Sequence, residues 1–153
     1  MSAEDRLAAL GYTLPEAMAP VANYVPFVEW AGFLTISGQI AKTADGTLMI
    51  GRLGDDMDVD VGQAAARACA LNILAQAKLA LGDLERVGQV IRLGGFVRCT
   101  DAFTEQPAVI NGASDLMVDV FGAKGRHARA AVGVNALPLG SAVEVDAVFA
   151  IAD

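Results

Sequence analysis

Residues 125–134, GRHARAAVGV, form an apolar, strand-like run with Arg129 near its centre. Side chains alternate along a strand, so Arg129 shares one face with His127, Ala131 and Gly133. The neighbours of Arg129 are too small or too apolar to satisfy a guanidinium, and an unpaired charge in that setting is costly. Its planar fork of donors suits a carboxylate or a phosphate. The partner of Arg129 is therefore either a carboxylate elsewhere in the fold or a ligand.

The residues that follow predict a turn and a last strand. Leu137-Pro138-Leu139-Gly140 is a turn sequence, and Glu144 and Asp146 share the polar face of a strand over residues 142–151. A short turn favours antiparallel neighbours, which would place Arg129 near Glu144 on one polar face. Two interpretations of that placement stay open, a structural ion pair across the strands or a site in which Arg129 binds a ligand.

Further towards the N-terminus, the sequence predicts a hairpin. Residues 25–28 and 33–37 have strand character, and Gly32 between them favours a tight turn. Gly38 follows at once, where a strand bulges or a ligand comes close to the backbone. Tyr24 opens the first strand and is either an ordinary strand aromatic or the wall of a site.

Two helices and one long strand occupy the middle of the chain. Residues 60–81 have helical periodicity, with Asp60 as the predicted N-cap and a glutamine three residues on. Residues 87–99 predict a strand. Thr104 is the predicted cap of a second helix over residues 105–121, and a glycine follows each helix.

This order of elements predicts an α+β fold in which two helices cover one face of a mixed sheet. An arm over residues 1–19 precedes a single domain over residues 20–153. A chain of this size has no element left for the other face of the sheet. Another copy of the chain would cover that face, so we expect a homo-oligomer.

Composition and charge exclude several classes of function. The formal net charge is −7, and the basic residues are scattered singly, which argues against nucleic-acid and membrane-surface partners. No apolar run approaches the length of a membrane span, and the N-terminus does not resemble a signal peptide, so we expect a cytoplasmic protein. Neither cysteine has metal-ligand spacing with the other or with His127, the only histidine, so we expect no metal site. We also expect no cofactor.

Several blocks of the sequence, taken together, resemble the YjgF/RidA family. The blocks are Ser37-Gly38-Gln39-Ile40, Ala128-Arg129 followed by small residues, Leu137-Pro138, and Val143-Glu144-Val145-Asp146-Ala147, together with Tyr24 and Asn111. The resemblance covers residues 20–153. Each block alone is a weak signal, and the combination is specific.

The resemblance implies a chorismate-mutase-like α+β fold and a homotrimer whose ligand sites lie in clefts between subunits. It implies hydrolysis of reactive enamines and imines, such as 2-aminoacrylate, to 2-keto acids and ammonia, without a metal or a cofactor. By position, Arg129 matches the family arginine that binds the substrate carboxylate, and Glu144 matches the acid that orients the attacking water. Tyr24, Gly38 and Asn111 match other pocket positions.

The chain departs from the family pattern on either side of Arg129. Ala131 stands where the family often has cysteine, so a reactive thiol is not part of the predicted site. His127 stands where the family often has proline. We consider two roles for His127, a histidine at the surface or at a subunit contact, and a proton shuttle beside Arg129.

Three hypotheses for function follow from this resemblance. The first is an enamine/imine deaminase, a hydrolase acting on small carboxylates. The second is a trimeric protein that binds small carboxylate metabolites without turnover. The third is a ribonuclease, because family members are also labelled endoribonuclease L-PSP, and the acidic charge of this chain counts against it.

Overall fold

Five strands form one mixed sheet in the computed structural model, which describes residues 1–19 and 22–153. The elements in chain order are α1 (Ala3–Ala9), β1 (Phe27–Trp30), β2 (Phe33–Ile40), α2 (Val59–Leu81), a 3-10 turn (Leu84–Arg86), β3 (Val87–Arg98), α3 (Gln106–Phe121), a 3-10 turn (Gly122–Gly125), β4 (Ala128–Val134), a 3-10 turn (Pro138–Gly140) and β5 (Val143–Ile151). The strand order is β1-β2-β5-β3-β4. The domain boundary predicted at Pro20 lies outside the described residues.

The helices cover one face of this sheet, as the sequence predicts. The inward-facing residues of β2, β3 and β5 are fully buried, among them Leu34, Leu93 and Phe149. Both α2 and α3 contact the sheet and pack against each other. Helix α1 adds Ala3 and Leu7 to the same core. The α+β class is confirmed.

The helix caps differ from the predicted ones. The side chain of Asp58, and not that of Asp60, accepts the backbone N–H of Val61 at 2.9 Å and caps α2. Helix α3 begins at Gln106 without a side-chain cap, so the cap predicted at Thr104 is wrong. The terminating glycine of α2 is confirmed, because Gly82 has a φ of 80°, which glycine adopts without strain.

The predicted pairing of the last two strands is wrong. Among the strands that the structure describes, β4 pairs only with β3 and is parallel to it, whereas β5 lies between β2 and β3 and is antiparallel to both. Helix α3 makes the crossover that a parallel pair requires. The turn over Pro138–Gly140 is therefore not a hairpin, because it carries the chain from the sheet edge back to its centre.

This register places Arg129 and Glu144 on opposite faces of the sheet. Arg129 pairs with Leu93, which pairs with Ala147, and both of these partners point into the core beneath the helices. Glu144 is three residues from Ala147 and so points to the other face. The shared polar face predicted for Arg129 and Glu144 is therefore contradicted.

The face of the sheet that carries Glu144 has no helix over it among the described residues. Large apolar side chains lie open on this face, including Val28, Phe33, Val132 and Trp30, the last with an exposed fraction of 80%. Exposed apolar surface of this kind marks an interaction surface. In the described ranges, no helix combines the length and apolarity needed to cross a bilayer.

Candidate functional site

The predicted site residues fall into two separate groups within one chain. The arginine group lies at the β4 edge of the sheet and contains Arg129, Ala131 and Asn111, with Ser114 and His127 beside them. The glutamate group lies near the other edge and contains Glu144, Gly38 and Tyr24. Strand β3 and the thickness of the sheet separate Arg129 on β4 from Glu144 on β5.

Helix α3 holds the guanidinium of Arg129. Nη1 donates to Ser114 Oγ at 3.0 Å, and Nη2 donates to the backbone oxygen of Pro107 at 3.2 Å. Ser114 Oγ is 2.8 Å from His127 Nε2, and His127 Nδ1 is 2.6 Å from the backbone oxygen of Gly125. The half-buried guanidinium of Arg129 is thus the first member of a chain of hydrogen bonds that runs through Ser114 and His127 to the backbone of Gly125.

Asn111 and Ala131 accompany Arg129. Asn111 lies four residues after Pro107 and three before Ser114, so the three residues share one face of α3. Ala131 follows Arg129 by two residues on β4 and lies on the same face of the sheet. The structure therefore brings together three residues that were assigned from the family resemblance.

Arg129 has no carboxylate partner within residues 1–19 and 22–153. The two ion pairs found there join Lys78 to Glu4 and Arg92 to Asp146. Of the five N–H bonds of the Arg129 guanidinium, two are used by Ser114 and Pro107, and three are left. The structure does not support the ion pair between Arg129 and Glu144, and a ligand remains as the other interpretation.

A bulge in β2 shapes the glutamate group. The register between β2 and β5 shifts between Ile36 and Gln39, which places Gly38 against Glu144. A Cβ at position 38 would lie 2.9 Å from Glu144 Cδ. Glycine at this position therefore makes room for the carboxylate, and the bulge is one of the two alternatives that the sequence predicted there.

Tyr24, Gly38 and Glu144 line one open cleft of about 1100 Å³. Ser37 Oγ donates to the backbone oxygen of Val25 at 2.7 Å and holds the Tyr24 segment against β2. Tyr24 precedes β1, which begins at Phe27, so its place in the first strand was predicted wrongly. Its side chain is half exposed in the cleft.

The N-terminal arm forms another wall of this cleft. Residues 15–19 line it, and the buried side chain of Gln76 donates to the backbone oxygen of Met18 at 2.8 Å. The sequence did not predict this wall. The two polar residues Asn72 and Gln76 within the buried stripe of α2 were the available signal.

Burial raises the pKa of the Glu144 carboxyl above its ordinary value of 4.5, and the nearby charge of Asp146 raises it further. A carboxylate with a raised pKa is a better general base near neutral pH. Burial also raises the pKa of the Cys69 thiol, and Glu144 adds to that shift. Cys69 is fully buried, so its thiol belongs to the core.

Ser114 was not predicted as a site residue from the sequence. Helix α3 brings its side chain to His127, where Ser114 Oγ lies 2.8 Å from Nε2. The available signal was the position of Ser114 on the face of α3 that also carries Asn111. In the described ranges, no three His, Cys, Asp or Glu side chains are grouped as metal ligands.

Comparison with known families identifies one match that spans nearly the whole chain. The family described as "YjgF/chorismate mutase-like, putative endoribonuclease" matches residues 4–151. Protein TCP17 of Trypanosoma cruzi is 53% identical over 150 residues, which are 95% of this chain and 94% of that protein.

Solved structures extend this similarity. Protein Atu1372 from Agrobacterium tumefaciens, described as having unknown function, is 49% identical with a TM-score of 0.92, over 97% of this chain and 92% of that one. RidA from the Antarctic bacterium Psychrobacter sp. PAMC 21119 is 26% identical with a TM-score of 0.61, over 89% of this chain and 94% of that one. The fold is thus shared with RidA, and the Agrobacterium protein is more similar in both sequence and structure.

Proposed function

Since this chain belongs to the YjgF/chorismate mutase-like family, we propose that it hydrolyses small enamines and imines of the 2-aminoacrylate type to 2-keto acids and ammonia. The observation that carries this proposal is Arg129, a half-buried guanidinium with three N–H bonds left and no carboxylate partner in the described part of the chain. A small carboxylate is the ligand that such a fork binds best.

The active unit is a homotrimer in this proposal. One chain keeps Arg129 and Glu144 on opposite faces of its sheet, so it cannot supply both to one small substrate. Its helix-free face is rich in exposed apolar residues such as Trp30 and Val132. Packing copies through this face would bury that surface and bring the arginine group of one copy to the glutamate group of the next.

Arg129 binds and orients the substrate. Two parallel N–H donors hold the carboxylate, and Asn111 supplies a further polar side chain on the same face of α3. This clamp holds the C=N carbon at a fixed distance from the attacking water. Holding two reactants in the correct geometry lowers the barrier to their reaction. Ala131 leaves space beside the substrate.

Glu144 acts on the water. An imine protonated on nitrogen is already electrophilic, so neither a metal nor a covalent nucleophile is needed. Glu144 takes a proton from the water as its oxygen attacks the C=N carbon, and this proton passes to the amine nitrogen. As the C–N bond breaks and ammonia leaves, Glu144, which is a carboxylate again, accepts the remaining hydroxyl proton, so that the oxygen becomes the keto group.

The experiment that tests this proposal follows the loss of imine absorbance for iminopyruvate generated in place by an amino-acid oxidase. We expect the wild-type protein to accelerate the loss and Arg129→Ala to abolish the acceleration. Arg126→Ala is the matched control, because Arg126 is a neighbouring exposed arginine without a side-chain hydrogen bond in the described residues. No acceleration by the wild-type protein for any imine would overturn the proposal.

A second candidate function is a carboxylate-binding protein without turnover. The separation of Arg129 from Glu144 favours this function. The hydrogen bonds that hold Arg129 all come from its own chain, so carboxylate binding does not require Glu144. The variant Glu144→Gln distinguishes the two functions. It abolishes turnover and keeps ligand binding if the protein is a deaminase, and there is no turnover to lose if the protein only binds.

A further inference from the structure

The hydrogen bonds around Ser114 have only one consistent direction in the neutral state of His127. The backbone oxygen of Gly125 can only accept, so His127 Nδ1 carries the proton and donates to it. Nε2 of the neutral ring is then an acceptor, and the hydroxyl of Ser114 donates to it at 2.8 Å. Ser114 Oγ is left to accept from Nη1 of Arg129 at 3.0 Å.

The hydrogen bonds through Ser114 and His127 hold one end of the Arg129 guanidinium, and a backbone oxygen holds the other end. Nη2 donates to the oxygen of Pro107, while Nη1 donates to Ser114. Both contacts come from α3, whose buried face is packed into the core. The plane of the guanidinium is therefore tied to a rigid helix and not only to the edge strand β4.

We propose that Ser114 and His127 are positioning residues that hold the guanidinium of Arg129 in the orientation required to bind a carboxylate. The identity of the ligand rests on the proposed function, and the restraint on Arg129 does not. A free arginine side chain loses conformational entropy when it binds a ligand, and a side chain held in advance loses less. His127 acts through Ser114, since the imidazole takes the hydroxyl proton and leaves the serine oxygen free to accept.

The experiment compares Ser114→Ala with Ser114→Thr, and His127→Ala with the wild-type protein. Asp115→Ala is the matched control, because Asp115 is the next residue on α3 and is exposed. The first readout is the dissociation constant for pyruvate, measured by calorimetry. The second is the mobility of the Arg129 guanidinium, measured by ¹⁵N NMR of its side chain, together with the tautomer of His127 from its ring ¹⁵N shifts.

We expect Ser114→Ala to weaken pyruvate binding about tenfold, because it removes a hydrogen bond to a charged group. Ser114→Thr keeps the hydroxyl and restores binding to within about twofold, and Asp115→Ala leaves it unchanged. His127→Ala weakens binding about threefold, because the serine hydroxyl loses its acceptor. Arg129 is restrained in the wild-type protein and mobile in Ser114→Ala, and His127 carries its proton on Nδ1.

The outcomes separate this inference from the proposed function. If the wild-type protein binds pyruvate and Ser114→Ala binds it equally well, the positioning role is wrong. If Arg129 is as mobile in the wild-type protein as in Ser114→Ala, the positioning role is wrong whatever the ligand is. If the wild-type protein binds no pyruvate and hydrolyses no imine while Arg129 is restrained through Ser114, the proposed function fails and the positioning role stands.

Discussion

Arg129 and Glu144 lie on opposite faces of the same sheet, with β3 between their strands. Arg129 is tied to α3 on the helix-covered face, whereas Glu144 opens into a cleft beside Gly38 and Tyr24. The two side chains with the most evident chemistry therefore cannot meet within one chain. A site that uses both side chains therefore requires a second copy of the chain.

Replacing Glu144 by Gln removes the base and keeps the shape of the side chain. We expect kcat for iminopyruvate to fall about 10²- to 10⁴-fold, the range that a general base contributes. The dissociation constant for pyruvate stays within about twofold, because Arg129 is untouched. Steady-state kinetics and calorimetry on the same preparation check both values, and turnover equal to that of the wild-type protein would contradict the role of Glu144.

Replacing Gly38 by Ala puts a methyl group against the carboxylate of Glu144. The added Cβ would lie 2.9 Å from Glu144 Cδ, so the flexible carboxylate must move. We expect kcat to fall about tenfold, because a shift of about 1 Å at a reacting group is enough for a loss of this size. Gly38 is exposed, so the free energy of unfolding changes by no more than about 0.5 kcal/mol. Urea unfolding and kinetics separate the two effects, and unchanged kcat would show that the close approach has no role in turnover.

The activity of the wild-type protein should rise with pH through the raised pKa of Glu144. Burial, and then the charge of Asp146, move this pKa above its ordinary value of 4.5. At a pH between the ordinary pKa of Glu144 in the unfolded state and its raised pKa in the folded state, the folded state binds more protons than the unfolded state. The contribution of Glu144 to the free energy of unfolding therefore falls as pH rises through this range. Asp146→Asn removes the nearby charge and should move the acidic limb of kcat/KM to lower pH. A limb that stays in place would show that another group controls it.

The cap of α2 offers a test of the fold that is independent of function. Asp58 accepts the backbone N–H of Val61, while Asp60 makes no side-chain hydrogen bond within the described ranges. We expect Asp58→Ala to lower the free energy of unfolding by about 1 kcal/mol, as the loss of an N-cap does. Asp60→Ala is the matched control and costs less than about 0.5 kcal/mol. Urea denaturation of both variants measures the difference, and equal losses would contradict the assigned cap.

Local sequence patterns predicted the helices and strands of this fold. They did not predict which strands pair with each other. Periodicity gave α2 and α3 because each helix buries one stripe of side chains, and Gly32 marked the hairpin through its φ of 79°. The turn at Pro138–Gly140 is short enough for a hairpin, but β5 instead pairs with β2 and β3. No local residue pattern records which strands will be neighbours, because the burial of the whole sheet decides the order.

The candidate site was predictable in its residues and not in its arrangement. The family resemblance supplied Arg129, Asn111 and Ala131, which the structure brings to one edge of the sheet. Ser114 was missed because a serine on a helix has no distinguishing pattern of its own. Its function depends on His127 and Arg129, which approach it only after α3 has packed beside β4.

The most direct test of a shared site is complementation between two inactive variants. Arg129→Ala and Glu144→Gln are co-expressed, so that mixed assemblies form, and imine hydrolysis is compared with that of each variant alone. If each site takes its arginine from one copy and its glutamate from the next, random assembly restores about one quarter of the wild-type sites. Mixed assemblies with activity near one quarter of the wild-type value are the predicted result. Mixed assemblies that are no more active than the separate variants would contradict a site formed between copies.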